Sequence, residues 1–487
     1  MPPWLPDEGA VTFPEARRLS MAEIARLRAW VQAGPPEGRP EDLPPTPHFT
    51  PGWQLGPPDL VVTFPTPYEL AAEGADVFRN LVAPLPVASN RFVRTIEFRP
   101  ENRSVHHARL VLDTAGKARR RDGADGQPGF PGTMLPEQDP PGFLQAWAPG
   151  RVPSPGYDGL SWPLNPGTDP VVGLHLQRAG KKELVQPTIG FYFADRPPTN
   201  TPVIVGLDAM SLDIPPGATN YAVECSLTLP VEADLLTALP HAHYLGKEMI
   251  FRSTAPGSPP VTRLHIRDWD FNWQLDYRYG PPVPLAAGTR LDFRWTFDNS
   301  AANPRNPSRP PQRVLDGWQT TEEMAQLWLQ LLPRDVAGGA ALKRAFDDSY
   351  RLQGIAFFQE KLRRNPTNAV AHFDLGKSLL ELNRLDEAFE HLATADELQP
   401  GDAEFIHYLG TYFARRNQLA AARDTLERAL AANPRFHLSH LLLGQIALAQ
   451  GEPDEAESRF SRVLDLDLGN PDARAGLETI AARRKRK

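Results

Sequence analysis

Pro240-His241-Ala242-His243-Tyr244-Leu245-Gly246-Lys247-Glu248-Met249 is the stretch from which the rest of this chain can be read. It follows a run from Tyr221 to Leu229 in which Val223, Cys225 and Leu227 alternate with Ala222, Glu224 and Ser226, the period of a half-buried strand. If that strand continues, His241 and His243 stand two apart and share a face. Two imidazoles on one face can chelate a borderline-soft ion such as copper or zinc. The same spacing also arises from two ordinary histidines, so the other histidines must decide.

Seven of the 12 histidines precede residue 334. Five of them lie in strand-like text: His106 and His107 side by side, His175 alone, and His241 with His243. A further soft donor, Met324, sits in Thr320-Thr321-Glu322-Glu323-Met324. Pairs plus singles divided over two β-regions suggest two metal sites, one of His106, His107 and His175 and one of His241, His243 and Met324. Neighbours on a regular strand point to opposite faces, so His106 and His107 reach one ion only at an edge or a bulge. The alternative there is one core and one surface histidine. His265 in Leu264-His265-Ile266 reads as structural, and His48 receives no role. Trp269, Phe271 and Trp273 alternate and read as a buried face of a strand spanning 263–274, or as the lining of a cleft.

The chain has 487 residues, enough for roughly three domains. Its net charge of −7 gives no electrostatic footprint for nucleic acid. The single cysteine, Cys225, rules out an intrachain disulfide and reads as a buried strand thiol. No apolar run approaches a membrane span. The 53 prolines crowd the portion before the loop at 299–311 and then thin out, which marks a turn-rich β portion followed by a helical one.

Short runs punctuated by Pro, Gly and Asn give strands near 60–64, 92–98, 105–112, 171–177 and 188–193. After a linker at Arg196-Pro197-Pro198-Thr199 they resume near 203–207, 221–229, 249–253 and 290–298. This spacing predicts two β-sandwiches, over 57–198 and 199–333, with Thr320–Leu331 as the closing element. From 334 to 487 a repeat takes over. Gly376, Gly410 and Gly444 are 34 apart, as are Ala388, Ala422 and Ala456, and Pro366, Pro400 and Pro434. That period, with a small residue in each helix and Pro at the repeat end, predicts a tetratricopeptide solenoid whose concave face binds a protein partner. Residues 334–366 read as a degenerate first repeat or cap, and the basic end from Arg483 as a solvated tail.

Residues 1–56 are not an independent domain. Ser20 caps a helix carrying Ile24, Leu27 and Trp30 on one face, which ends at Gly34-Pro35-Pro36 before a Pro-rich linker. Met1-Pro2-Pro3-Trp4 together with this helix resembles the last third of a bacterial c-type cytochrome domain, where a methionine in the position of Met1 ligates haem. The haem-attaching Cys-x-x-Cys-His is absent, so covalent haem is excluded. The alternative is a plain N-terminal extension. As written the chain has no signal peptide and would stay cytoplasmic. A start further upstream would make it periplasmic or otherwise extracytoplasmic.

The order His-His, His, His-x-His, Met resembles the ascorbate-dependent type II copper monooxygenases, the family of peptidylglycine α-hydroxylating and dopamine β-monooxygenase. His241-Ala242-His243-Tyr244-Leu245-Gly246-Lys247 matches its H-x-H-h-L-G-K run. Asp298-Asn299-Ser300 and Glu322-Glu323-Met324 resemble bacterial members, some of which also carry tetratricopeptide repeats. The resemblance spans about residues 57–332. It implies two jelly-roll-like antiparallel sandwiches, one copper on each, with a solvent cleft between. By the same resemblance the His241/His243/Met324 copper meets O2 and abstracts a substrate hydrogen, while the His106/His107/His175 copper stores an electron and ascorbate reduces both. The family's substrate-binding arginine, asparagine and tyrosine are here Leu239, Gln326 and Trp328, and its glutamine before the single histidine is Gly173. A peptide ending in glycine is therefore not the expected substrate, and another small molecule or peptide must be sought. The competing reading is a non-catalytic copper-binding or protein-interaction scaffold acting through its repeats.

Overall fold

The computed structural model describes the chain apart from residues 1–4, 8–11, 15, 17, 47–51, 115, 133–139, 144, 318, 467–469 and 486–487. The chain divides into two compact units, 1–346 and 347–487. The first is mostly antiparallel β and the second is all helical. No described helix is long and apolar enough to cross a membrane.

The four larger sheets of the first unit are grouped around two apolar cores, and two further two-stranded sheets pair Glu183–Val185 with Tyr68–Leu70 and Asp213–Ile214 with Val314–Leu315. One core lies between a four-stranded sheet (Leu60–Thr63, Thr188–Phe193, Arg91–Arg99, Trp162–Leu164) and a five-stranded one. The latter runs Phe130–Pro131, Val77–Val82, Asp169–Leu176, Val105–Asp113, Gln145–Trp147. The other core is shared by two four-stranded sheets. Their orders are Val203–Asp208, Gln326–Pro333, Ala233–His241, Tyr277–Leu285 and Tyr221–Thr228, Arg290–Phe297, Gly246–Thr254, Val261–Ile266. Along Tyr221–Thr228 the exposure alternates residue by residue, as the sequence pattern requires, while Cys225, expected to be buried, lies half-buried against the core.

Two expectations fail on local chemistry. The strand at 221–228 does not run on to the histidines: the chain turns at Pro230 and Val231, and Ala233–His241 joins the opposite sheet. Nor does a strand extend from 263 to 274, because Val261–Ile266 ends where Asp268, Asp270 and Asn272 begin. The Asp270 carboxylate accepts from Asn272 N at 2.9 Å, an Asx turn, and the Arg305 guanidinium holds both Asp268 and the Trp269 carbonyl. Trp269, Phe271 and Trp273 therefore stand on a loop.

Near the N-terminus, Met21–Gln32 is a helix with the full capping box: Glu23 N donates to Ser20 Oγ, and the Glu23 carboxylate accepts from Ser20 N. Its apolar face is not covered, with Leu27 and Trp30 more than 40 % exposed. Met1, the haem-ligand position of the cytochrome resemblance, lies outside the described residues, as does His48.

In the second unit each 34-residue period recurs as physical structure. Helix pairs Ala369–Glu381/Leu385–Leu398, Ala403–Arg415/Leu419–Ala432 and His437–Gln450/Pro453–Leu466 are followed by Pro471–Lys485. A Cβ added at Gly376, Gly410 or Gly444 would lie 2.7–2.8 Å from Leu392, Leu426 or Phe460 of the paired helix, so only glycine permits that approach. The turn inside each pair uses a left-handed residue at the same phase: Asn383, Asn417 and Gly451. The segment read as a first repeat or cap is one uninterrupted helix, Val336–Arg364.

Candidate metal centre

His107 and His175 face each other across a strand pair, Val105–Asp113 against Asp169–Leu176. The register of that pair slips between Val105 and His107. His106 is the extra residue, and the slip turns its side chain toward the same side as its neighbour's. This is the bulge that adjacent histidines need in order to share an ion.

One nitrogen from each of the three imidazoles lies within 4.8 Å of the others. The Nδ1 atoms of His106 and His107 are 3.1 Å apart. Two nitrogens bound at about 2.0 Å to one tetrahedral ion would be about 3.3 Å apart, so this pair already has ligand spacing. The third imidazole is oriented from behind: His175 Nε2 lies 2.7 Å from Asp76 Oδ2. A carboxylate there keeps the proton on Nε2 and leaves Nδ1 as the lone-pair nitrogen. Nδ1 of His175 is buried with no hydrogen-bond partner, an orphan acceptor that a metal ion would satisfy. Burial pushes His106 down to about 4 and His107 well below the usual histidine range. It lowers His175 as well, against the opposing pull of Asp76. All three are neutral at pH 7, the form that ligates metal.

His241 is the last residue of its strand, and His243 lies just beyond it. The two rings are 5.4 Å apart and nearly perpendicular. His241 Nδ1 lies 2.5 Å from Gln274 Oε1, and His243 Nδ1 lies 2.9 Å from the Glu322 carbonyl. Donation from Nδ1 leaves Nε2 as the lone-pair nitrogen of each ring. Burial pushes His241 down to about 3 and His243 to about 4.

Met324 is buried and tied to this pair through its neighbour. The Glu323 carboxylate accepts from the backbone N–H groups of His243, Leu245 and Met324, so one side chain staples the histidine stretch to the methionine segment. It is fully buried, which pushes it up to about 8. Gly246 completes the fit, since a Cβ there would lie 2.6 Å from Trp269, whose Nε1 donates to the His243 carbonyl.

One side chain touches both histidine groups. The Phe271 ring, 2 % exposed, stacks on His106 at 5.1 Å and meets His243 edge-on at 5.6 Å. Phe271 reaches both because it stands on the loop after Val261–Ile266.

Other candidates fall as follows. His265 is held between Asp7 and Glu248 at 3.1 and 2.8 Å, a structural polar cluster. Gln326 pairs in register with His241 and donates to Asp208, while Trp328 donates to Gln326. Asp76, Gln274 and Glu323 escaped sequence reading. In the sequence Glu323 stands out only as the neighbour of Met324, and nothing there distinguishes Asp76 or Gln274 from other polar loop residues.

Residues 352–407 and 409–477 each match a family model described as tetratricopeptide repeat. The C-terminal helical region is a tetratricopeptide repeat array. Similar curated proteins include DnaJ homolog subfamily C member 3 of Mus musculus, 31 % identical over 19 % of this chain and 18 % of that protein. BBSome complex member BBS4 of Mus musculus is 29 % identical over 25 % of this chain and 24 % of that protein. The chain spans less than a quarter of the length of these relatives. Among solved structures, MamA covers 31 % of this chain and 85 % of its own, at 23 % identity and a TM-score of 0.26. The first repeat domain of Spaghetti (RPAP3) bound to an HSP90 peptide covers 24 % of this chain and 95 % of its own, at 20 % identity and a TM-score of 0.24.

Proposed function

We propose that this chain is a protein-binding scaffold, through its tetratricopeptide array, that carries a copper centre of the monooxygenase type in its β-rich unit. The observation that carries the metal reading is the convergence of His106, His107 and His175, with an orphaned buried nitrogen on His175. Two cores, each between two antiparallel sheets, support the jelly-roll architecture that the type II copper monooxygenase resemblance implies. His106, His107 and His175 would hold one ion, and His241, His243 and Met324 the other, the thioether favouring Cu(I). Copper held there would supply one-electron redox chemistry toward O2, fed by ascorbate or a similar reductant.

The chain's own groups prepare the site. Asp76, Gln274 and the Glu322 carbonyl fix ring orientation and tautomer, and metal entry displaces no proton from imidazoles that are already neutral. Glu323 holds Met324 and His243 in fixed relation.

A second reading, a scaffold without turnover, is favoured by the repeat matches and by Leu239, Gln326 and Trp328 standing where the family binds substrate. Copper-reconstituted protein, assayed for O2 and ascorbate consumption coupled to an oxygenated product over a panel of small molecules and peptides, separates the two. Coupled turnover abolished by His243→Ala supports the enzyme. Bound copper with no coupled turnover leaves the scaffold.

A further inference from the structure

Two hollows in the first unit meet beside one arginine. The larger, about 460 Å³, opens beside Arg91–Arg99 and Gln145–Trp147 and is walled by Ile96, Phe98, Leu110, Trp147 and Val172. Leu110 and Val172 belong to the apolar core of this half, so the hollow reaches into the core itself. Its volume falls in the range of sites for small organic ligands. Trp147 and Phe98 supply flat walls, their rings meeting at 5.3 Å and 55°. The smaller hollow is lined from the other pair of sheets by Leu239, Arg278 and Trp328. The two hollows share Thr95, Gln145, Arg151 and Ser154.

The charges at this junction do not cancel. Arg151 is paired with Asp276 at 2.8 Å. In the larger hollow Arg99 is paired with Glu101 at 3.2 Å, and the buried Glu97 carboxylate accepts from Gln54 N, Leu55 N and the Tyr192 hydroxyl. Arg278 has no carboxylate within ion-pair distance among the described residues. Its guanidinium donates to Ser154 Oγ and lies 4.0 Å over the Tyr157 ring, while its Nε is buried with no hydrogen-bond partner. Neither Ser154 nor Tyr157 carries charge, so the cation is held in place and left uncompensated. The other charged group of the smaller hollow, Arg94, is exposed and of the same sign.

We propose that these hollows form a binding site for an organic monoanion with an apolar body, of the arylalkanoate type. The carboxylate sits at Arg278 and Ser154, and the body fills the larger hollow against Trp147 and Phe98. A guanidinium offers parallel N–H donors that match a carboxylate, and one uncompensated unit of charge matches a monoanion. The site uses none of the histidines and does not depend on bound copper.

The test is isothermal titration calorimetry on the full chain with phenylbutanoate as the probe, beside its amide, the corresponding phenylbutylamine, and acetate. Phenylbutanoate is expected to bind at one site per chain. The amide, which lacks the charge, and acetate, which lacks the body, should each bind at least about tenfold more weakly, and the amine not at all. Arg278→Gln is expected to weaken phenylbutanoate by about tenfold or more, and Arg278→Lys, which keeps the charge but not the parallel donors, to restore part of the affinity. If Arg278→Gln does not fold, Arg278→Lys and the comparison of acid with amide in the wild type decide the matter. An amide that binds as tightly as the acid, an Arg278→Gln affinity equal to wild type, or no binding of phenylbutanoate would each overturn the proposal.

Discussion

Two histidine pairs in this protein have almost the same nitrogen spacing and very different surroundings. In the β-rich unit His106 and His107 have Nδ1 atoms 3.1 Å apart, and in the repeat array His372 and His391 have theirs 2.9 Å apart. The second pair is a closed hydrogen bond. His372 Nε2 is bonded to the Pro366 carbonyl, which fixes its tautomer and leaves Nδ1 to accept from His391. Among the described residues no third ligand joins it. The first pair gains His175, whose Nδ1 is buried without a partner while Asp76 holds its Nε2. What makes a site is the third, oriented donor, and two close imidazoles do not suffice.

His107→Ala should remove one copper per chain, while His372→Ala should leave copper content unchanged. Metal analysis after dialysis reads both, and equal loss in the two variants would erase the distinction.

Acid should next weaken the metal-free centre, an effect that His407 of the repeat array, pushed down to about 4 by burial, shares. The metal-free centre keeps imidazoles neutral well below the pH at which unfolded histidines take up protons. The unfolded state therefore binds more protons from about pH 6.5 down to about 4, and stability falls as pH drops through that window. Each such histidine contributes on the order of 1–3 kcal/mol to the loss. Copper should suppress the effect by occupying the nitrogens. Urea titrations at pH 7 and 5, with and without copper, check this, and an unchanged midpoint in metal-free protein would contradict it.

Asp76→Asn keeps the shape behind His175 but removes the charge, and should weaken copper at that group about 10–100-fold with the fold intact. A competition titration measures it. The mildest expected effects are steric. Gly376→Ala and Gly246→Ala add a Cβ at 2.7 and 2.6 Å from Leu392 and Trp269. Each should cost about 1–3 kcal/mol in thermal or chemical unfolding. Only Gly246→Ala should also weaken copper binding, because Trp269 supports the His243 backbone.

Legibility in the sequence followed the range of the interaction. The repeat array was readable because its requirements recur at fixed phase: glycine at the helix contact, alanine in the partner helix and proline at the repeat end. The bulge at His106 was readable because two adjacent ligands cannot share an ion on a flat strand. The strand break before Trp269 was missed because its aromatic alternation imitates a strand while Asp268, Asp270 and Asn272 were building a loop. Asp76, Gln274 and Glu323 act through contacts 33 to 99 residues away in sequence, which no local pattern announces.

The most direct test of the account is copper per chain after reconstitution, for wild type, His107→Ala and Met324→Ala. Two coppers in wild type, with each variant weakening one, is the expected result. No copper in the wild type would contradict the metal centre and leave a β-rich unit joined to a partner-binding repeat array.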